Sequence, residues 1–208
     1  IINNMNEYDK KLKDFFMEEL KSVKAPKIVE FGVRKGISTK MFIDICEKNN
    51  GFLHSVDCDD FINVSDSRHW KFHLTRDDNF DYLDQEIPDG IDLFYLDSFH
   101  NANHIEKIIY HYYPKLKLNG QFIIDDVSWV PYLKDAKRNS FNCERNNNET
   151  FERIMEINYG NSKNLELYFS FIGSGLAKII KRSNDDLFAP KKIKIRKFSI
   201  KNFFRKIL

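Results

Sequence analysis

Cysteine is scarce in this chain: Cys46, Cys58 and Cys143 are the only three in 208 residues, and no C-x-x-C pair occurs. An odd number at wide spacing argues against a disulfide framework or a zinc site and points to reduced thiols in a cytoplasmic protein. Also missing is any apolar run of the ~20 residues that a membrane-spanning helix needs. The first residues lack the basic-then-apolar layout of a signal peptide. Repeats and low-complexity linkers are absent too. Charge of one sign is not in excess, since 33 Lys and Arg face 31 Asp and Glu for a net +2. That balance argues against a surface built for nucleic acid, and no nucleic-acid partner is expected. What is plentiful is apolar and aromatic material, with 19 Phe and 9 Tyr, enough for one packed domain with a short appendage.

Apolar spacing predicts the order of elements. Tyr8, Leu12, Phe15, Phe16 and Leu20 recur at helical intervals after Asn6, a suitable cap, so residues 6–23 read as an amphipathic helix. Lys27 to Phe31 then reads as a buried strand ending at Gly32. A helix follows with Met41, Phe42, Ile45 and Cys46 on its apolar face, and Gly51 is placed to end it. Further strands are read at Phe52–Val56, Trp70–Leu74, Ile91–Leu96 and Gln121–Ile124. Ile105, Ile108, Ile109 and Tyr112 give another helix face between the last two. Near the end, Leu165–Ile172 and Leu176–Ile180 flank a Gly173-Ser-Gly turn, which makes a β-hairpin. The reading is an α/β fold with a doubly wound, mostly parallel, Rossmann-like sheet of seven strands, finished by an antiparallel hairpin. Asn146 to Asn148 reads as loop, inside a polar stretch, Lys134 to Asn148, that suits a lid.

In open α/β sheets ligands bind beyond the carboxyl ends of the strands, where the strand order reverses. Several predicted strands end there in glycine or acid. Gly32 and Gly36 punctuate the first strand-to-helix turn and let a ligand approach the backbone closely. Asp57 closes the second strand, where a carboxylate accepts both hydroxyl hydrogens of a ribose. Asp77 and Asp78 follow the third strand and are positioned to accept from an adenine amino group. The turn has Val33-Arg34 where a dinucleotide fingerprint has its middle glycine, which disfavours close pyrophosphate packing and a nicotinamide cofactor.

Three segments carry a resemblance. Phe31-Gly-Val-Arg-Lys-Gly-Ile-Ser-Thr resembles the Gly-Val-x-x-Gly-x-Ser/Thr turn of the macrocin group of sugar O-methyltransferases. Tyr95-Leu-Asp-Ser-Phe-His resembles their strand-four motif, and Tyr113 to Asp126 resembles their segment leading into strand five with its paired acids. The catechol and caffeoyl-CoA O-methyltransferases are similar at greater distance. The likeness spans roughly Lys27 to Trp129. Two departures stand out: Asn119-Gly120 replaces Gly-Gly, and Asp125 stands where the sugar enzymes carry Glu.

The resemblance implies a class I methyltransferase using S-adenosylmethionine, held by Glu30, Gly32, Gly36, Ser38, Asp57, Asp77, Asp78 and Asp97. It also implies Mg²⁺ on Asp97, Asp125 and Asp126, with Asp97 and His100 in catalysis and His100 as the proton acceptor. The expected acceptor is a hydroxyl of a sugar, a glycan precursor or a related small molecule. Two alternatives stand beside this: a metal-independent N- or O-methyltransferase, and a non-catalytic cofactor- or nucleotide-binding module. Glu30 is expected to orient the methionine end of the cofactor, His104 and His111 to lie at the surface, and Trp129, Pro131 and Tyr132 either to wall the acceptor pocket or to pack their own loop.

Residues 1–182 are assigned to the catalytic domain and 183–208 to a basic tail. In that tail Ile200, Phe203, Phe204, Ile207 and Leu208 fall at helical spacing after Ser199, a suitable cap. This stripe suits an anionic membrane surface or a lipid-linked glycan precursor; packing on the same domain or on a second subunit of a homo-oligomer is the competing reading.

Overall fold

The computed structural model describes residues 11–12, 18–128, 140–193 and 200–207. Its centre is a seven-stranded sheet built from β1 (Lys27–Phe31), β2 (Phe52–Asp57), β3 (Trp70–Leu74), β4 (Ile91–Leu96), β5 (Leu116–Asp125), β6 (Leu165–Ser170) and β7 (Leu176–Lys181), in the order β3-β2-β1-β4-β5-β7-β6. The first five strands are mutually parallel, whereas β7 pairs antiparallel to both β5 and β6. The seven predicted strands and the closing hairpin are therefore present, and this is the methyltransferase arrangement of the sheet. From β1 the chain builds outward to β2 and β3, then returns to lay β4 on the other side of β1. That reversal puts the switch point between the carboxyl ends of β1 and β4.

Alternation along β1 sends Val29 and Phe31 to one face and Ile28 and Glu30 to the other. On the first face, Phe31, Phe94 and Phe122 line up across the central strands, with ring centroids 6.0 and 4.9 Å apart. Ile105, Ile108, Ile109 and Tyr112 of a helix at Ala102–Tyr112 and Ile154 and Ile157 of another at Phe141–Gly160 cover them. On the second face, Phe42, Ile45 and Cys46 of the helix Ile37–Asn49 pack on Ile28, Leu53 and Tyr95, joined by Leu12 and Leu20. With the short helices Glu18–Lys21 and Phe80–Glu86, and Ile200–Ile207 at the end, the helices are α1 (Glu18–Lys21), α2 (Ile37–Asn49), α3 (Phe80–Glu86), α4 (Ala102–Tyr112), α5 (Phe141–Gly160) and α6 (Ile200–Ile207). Of the predicted helix over 6–23, Lys11, Leu12 and α1 are helical; Asn6, Tyr8, Phe15 and Phe16 lie outside the described residues.

Two expectations need correction. Asn146 to Asn148 are not loop but lie inside the 20-residue α5, with Asn147 and Thr150 buried. Asparagine is a weak helix former, but burial of Ile154 and Ile157 and the ion pair of Arg153 with Glu106 of α4 override that preference. The start of the predicted lid, residues 134–139, lies outside the described residues, as do Trp129, Pro131 and Tyr132. Strand β5 also starts earlier than read, at Leu116. Asn119 takes φ 67 and a Cβ on Gly120 would come within 2.8 Å of the Ile91 and Lys117 carbonyls, so this Asn-Gly kink shifts the register of β5 against β4.

Part of the segment assigned to the tail is strapped to the body. Asn161, at the end of α5, accepts from the Phe188 amide at 2.6 Å and donates to the Phe188 carbonyl at 2.9 Å, and the Lys191 amide donates to the Glu156 carbonyl at 3.0 Å. Among the described residues no helix is long and apolar enough to cross a membrane.

Candidate active site

The carboxyl ends of β1 and β4 touch, and the sequence makes that contact feasible. A Cβ at Gly32 would sit 2.2 Å from the Asp97 carbonyl oxygen, and its φ of 100° is one that side chains avoid. The turn leading into α2 is gathered by Asp57: one carboxylate oxygen accepts the Val33 and Arg34 amides at 2.8 and 3.3 Å, and the other accepts the Asp59 amide at 3.0 Å. Asp57 also stands in the wall of a cleft of about 490 Å³, with Gly32, Phe61, Thr75, Asp77 and Phe99.

Asp77, in the wall of that cleft, is buried and held through one oxygen, Oδ2. It accepts the Ser98 hydroxyl at 2.5 Å and approaches His104 Nε2 at 2.9 Å. His104 is therefore not a surface residue. Asn101 caps α4 by accepting the amides of Asn103 and His104, and this fixes the first turn so that the imidazole faces inward. Asp78 departs from its expected place: it does not line the cleft but pairs with Arg76 at 2.9 Å and Lys107 at 3.5 Å, and the Arg76 hydrogen bond holds its carboxyl down to about 2. His111 is half-buried, with its ring stacked on Phe80 at 3.6 Å.

A second recess of about 270 Å³ opens beside the first and shares Arg34, Asp97 and His100 with it. Its wall includes Ser38, Asp125 and Asp126. His100 Nε2 lies 3.4 Å from Asp97 and 3.5 Å from Asp126, so one imidazole stands between two carboxylates where the recesses meet. Burial works against its protonation, but the carboxylates of Asp97, Asp126 and Asp125 outweigh this and hold it above its ordinary value. Asp126, just past β5, takes φ 57, an uncommon backbone state for a side-chain-bearing residue and one often found at functional sites.

Asp125 is the most enclosed of the three aspartates that face this recess. Burial first, and then the charge of Asp97, push its carboxyl up to about 6, against the opposing pull of Lys11. The Lys11 ammonium forms an ion pair with it and donates to the Ser174 hydroxyl at 2.9 Å, while Tyr95 donates to its other oxygen at 3.1 Å. Nothing in the sequence singled out Lys11, because a lysine beside an apolar helical stripe reads as solvated until the tertiary contact is known. Asp97, Asp125 and Asp126 face the same recess, as expected, but not at ligand spacing. Among the described residues, the one set of three such side chains with ligand atoms all within 4.8 Å is Asp57, Cys58 and Asp59, neighbours in one turn. In chemistry the three carboxylates suit a hard divalent cation, whose charge would favour the ionised form of Asp125 that burial and Asp97 oppose.

Glu30 occupies neither recess wall. It is fully buried beneath them and accepts three hydroxyls, Ser38 at 2.5 Å, Thr39 at 2.8 Å and Ser55 at 2.7 Å, which ties β1 to α2 and β2. Burial outweighs these hydrogen bonds and pushes its carboxyl up to about 7. Ser38 reaches the second recess, but its hydroxyl is committed to Glu30. Gly36 lies outside both walls; a Cβ there would strike Val64 at 2.4 Å, so it serves the turn.

Residues 29–127 match the family described as methyltransferase domain. No curated protein matches the chain. Among solved structures, MycE methyltransferase from the mycinamycin biosynthetic pathway, in complex with Mg and SAH, is similar at TM-score 0.62 and 16% identity over 90% of this chain and 53% of its own. The same enzyme with Mg, SAH and mycinamycin VI gives 0.60. SAH-bound methyltransferase PaMTH1 of Podospora anserina gives 0.63 at 15% identity, over 83% of this chain and 78% of its own. At such identities the likeness is one of fold, and this chain spans about half the length of MycE.

Proposed function

We propose that this chain is a class I, S-adenosylmethionine-dependent methyltransferase that methylates a hydroxyl of a sugar or related small molecule with the help of Mg²⁺. The observation that carries this reading is the placement of His100 between Asp97 and Asp126 at the meeting of the two recesses. The larger cleft has the size of a small-molecule site and presents Asp57 for a ribose and Asp77 for an adenine, between the aromatic walls of Phe61 and Phe99. Gly32 and Asp97 line this cleft side by side, and the donor's sulfonium is placed against them. The smaller recess takes the acceptor.

Asp97, Asp125 and Asp126 are the residues that would hold Mg²⁺, which supplies Lewis acidity that lowers the pKa of an acceptor hydroxyl. His100 takes the hydroxyl proton at Nε2, and Asp97 and Asp126 stabilise the imidazolium that results. As the new C–O bond forms, the donor's C–S bond breaks in line and the electron pair stays on sulfur. Alignment of the two recesses about one shared wall supplies the orientation on which such a displacement depends. The thiols of Cys46 and Cys58, neither of them in a disulfide, support the reading of an enzyme that works in the cytoplasm.

One observation favours a second reading. Lys11 already neutralises Asp125, as suits a methyltransferase that needs no metal. A single experiment separates the two: transfer of labelled methyl from S-adenosylmethionine to a panel of sugar hydroxyls, with Mg²⁺ or with EDTA, by the native chain and Asp126→Asn. The metal-assisted reading expects transfer that EDTA abolishes, Mg²⁺ restores and Asp126→Asn lowers roughly a hundredfold or more. Transfer indifferent to EDTA and to the substitution refutes it and leaves the metal-independent enzyme.

A further inference from the structure

Helix α6 presents an apolar stripe that no other element among the described residues covers. Ile200, Phe203, Phe204 and Ile207 are 76%, 63%, 58% and 66% exposed, and the two phenylalanine rings meet edge to face at 5.9 Å. The same spacing that gathers these four on one side leaves Lys201 and Arg205, both exposed, beside them. Around the helix the charge is one-sided. Residues 187–208 contain eight Lys and Arg and no Asp or Glu, which leaves 25 basic against 31 acidic residues, a net charge of −6, in the rest of the chain. The straps at Phe188 and Lys191 anchor the start of this segment to α5.

We propose that α6 docks this methyltransferase on an anionic lipid surface. Cations alone would suit any acidic partner, including the acidic body of a second copy. Four contiguous apolar side chains flanked by cations match instead a boundary where an apolar phase lies directly beneath negative headgroups. The stripe inserts at that boundary while Lys201 and Arg205 reach back to the phosphates. The acidic body is repelled by the same surface, so attachment falls to this segment, and the body is held at the lipid rather than pressed on it. A short helix of this kind gives reversible attachment.

The test is co-sedimentation of the full chain with vesicles of phosphatidylcholine alone or mixed in equal parts with phosphatidylglycerol, alongside light scattering without lipid. Because the four side chains are exposed, Phe203→Ser with Phe204→Ser should leave the circular dichroism and thermal midpoint unchanged. The native chain is expected to bind the anionic vesicles at least about tenfold more tightly than the neutral ones, less so as salt rises. The double substitution should lower that binding by roughly tenfold or more, and Lys201→Glu with Arg205→Glu should also weaken it. Equal binding to both vesicle types, or binding unchanged by the phenylalanine substitutions, overturns the proposal. So does self-association that the substitutions abolish in a chain that ignores vesicles, which would make a second copy the occupant. Methyl transfer to a soluble acceptor does not depend on α6, so this proposal and the proposed reaction fail separately.

Discussion

Replacing Glu30 by Gln changes one proton-binding site buried between β1, β2 and α2, and its effect on stability has a definite sign. The carboxyl moves from an ordinary 4.5 to about 7 on folding, with burial the first cause. Below pH 4.5 it is protonated in both folded and unfolded chains. Between 4.5 and about 7 the unfolded chain releases the proton while the folded chain keeps it, so stability falls as pH rises. Above about 7 both are ionised and the loss is complete. At 1.36 kcal/mol for each pH unit of difference, the loss is about 3 kcal/mol.

Glu30→Gln keeps the shape of the side chain but cannot ionise, so it escapes this loss; its amide nitrogen donates where a carboxylate oxygen accepted, a change that does not vary with pH. Urea unfolding of both proteins at closely spaced pH values measures it. Trp70 is a convenient reporter, because its indole donates to Ser55 at 2.9 Å and Ser55 in turn donates to Glu30. Other buried acids, Asp125 among them, titrate in both proteins and cancel in the difference. The native chain should lose about 3 kcal/mol relative to Glu30→Gln between pH 4.5 and 8. Parallel stability curves would refute the reasoning and mean that the three hydroxyls hold Glu30 ionised at an ordinary value.

Gly32→Ala should cost about 3 kcal/mol or more, as the added carbon meets the Asp97 carbonyl at 2.2 Å in a backbone state unsuited to alanine; denaturant midpoints check it, and a cost below about 1 kcal/mol would mean that β1 and β4 part easily. His104→Ala removes one of the two groups that hold Asp77 and should weaken S-adenosylhomocysteine binding roughly tenfold, measured by calorimetry, with little change if Asp77 does not contact the adenine.

The sheet was legible because its strands are short apolar runs bounded by glycine or acid, and a period of two leaves little freedom in where Phe31, Leu96 or Ile124 can point. The acids at those strand ends were legible for the same reason: Asp57, Asp97 and Asp126 end up on one edge once the order of strands is known. What escaped depends on contacts far apart in sequence. The Asn-rich start of α5 lacks helical preference and owes its form to packing on α4 and the sheet. His104 turns inward through a cap at Asn101, and Lys11 reaches Asp125 across 114 residues of chain. Asp77 and Asp78 are chemically identical neighbours; only the positions of Ser98 and Arg76 separate a cleft residue from an ion-paired one. Glu30 likewise turned out to brace the turn from below, since the hydroxyls of Ser38, Thr39 and Ser55 converge on it from two elements.

The central claim is that the cleft at the carboxyl ends of β1, β2 and β4 binds the methyl donor. Isothermal titration of S-adenosylmethionine, S-adenosylhomocysteine and NAD into the purified chain, with and without Mg²⁺ and repeated on Asp57→Ala, tests it most directly. The account predicts binding of the first two, none of NAD, and a loss of roughly tenfold or more on removing the Asp57 carboxylate. Binding of NAD alone, or S-adenosylhomocysteine affinity unaltered in Asp57→Ala, would contradict it.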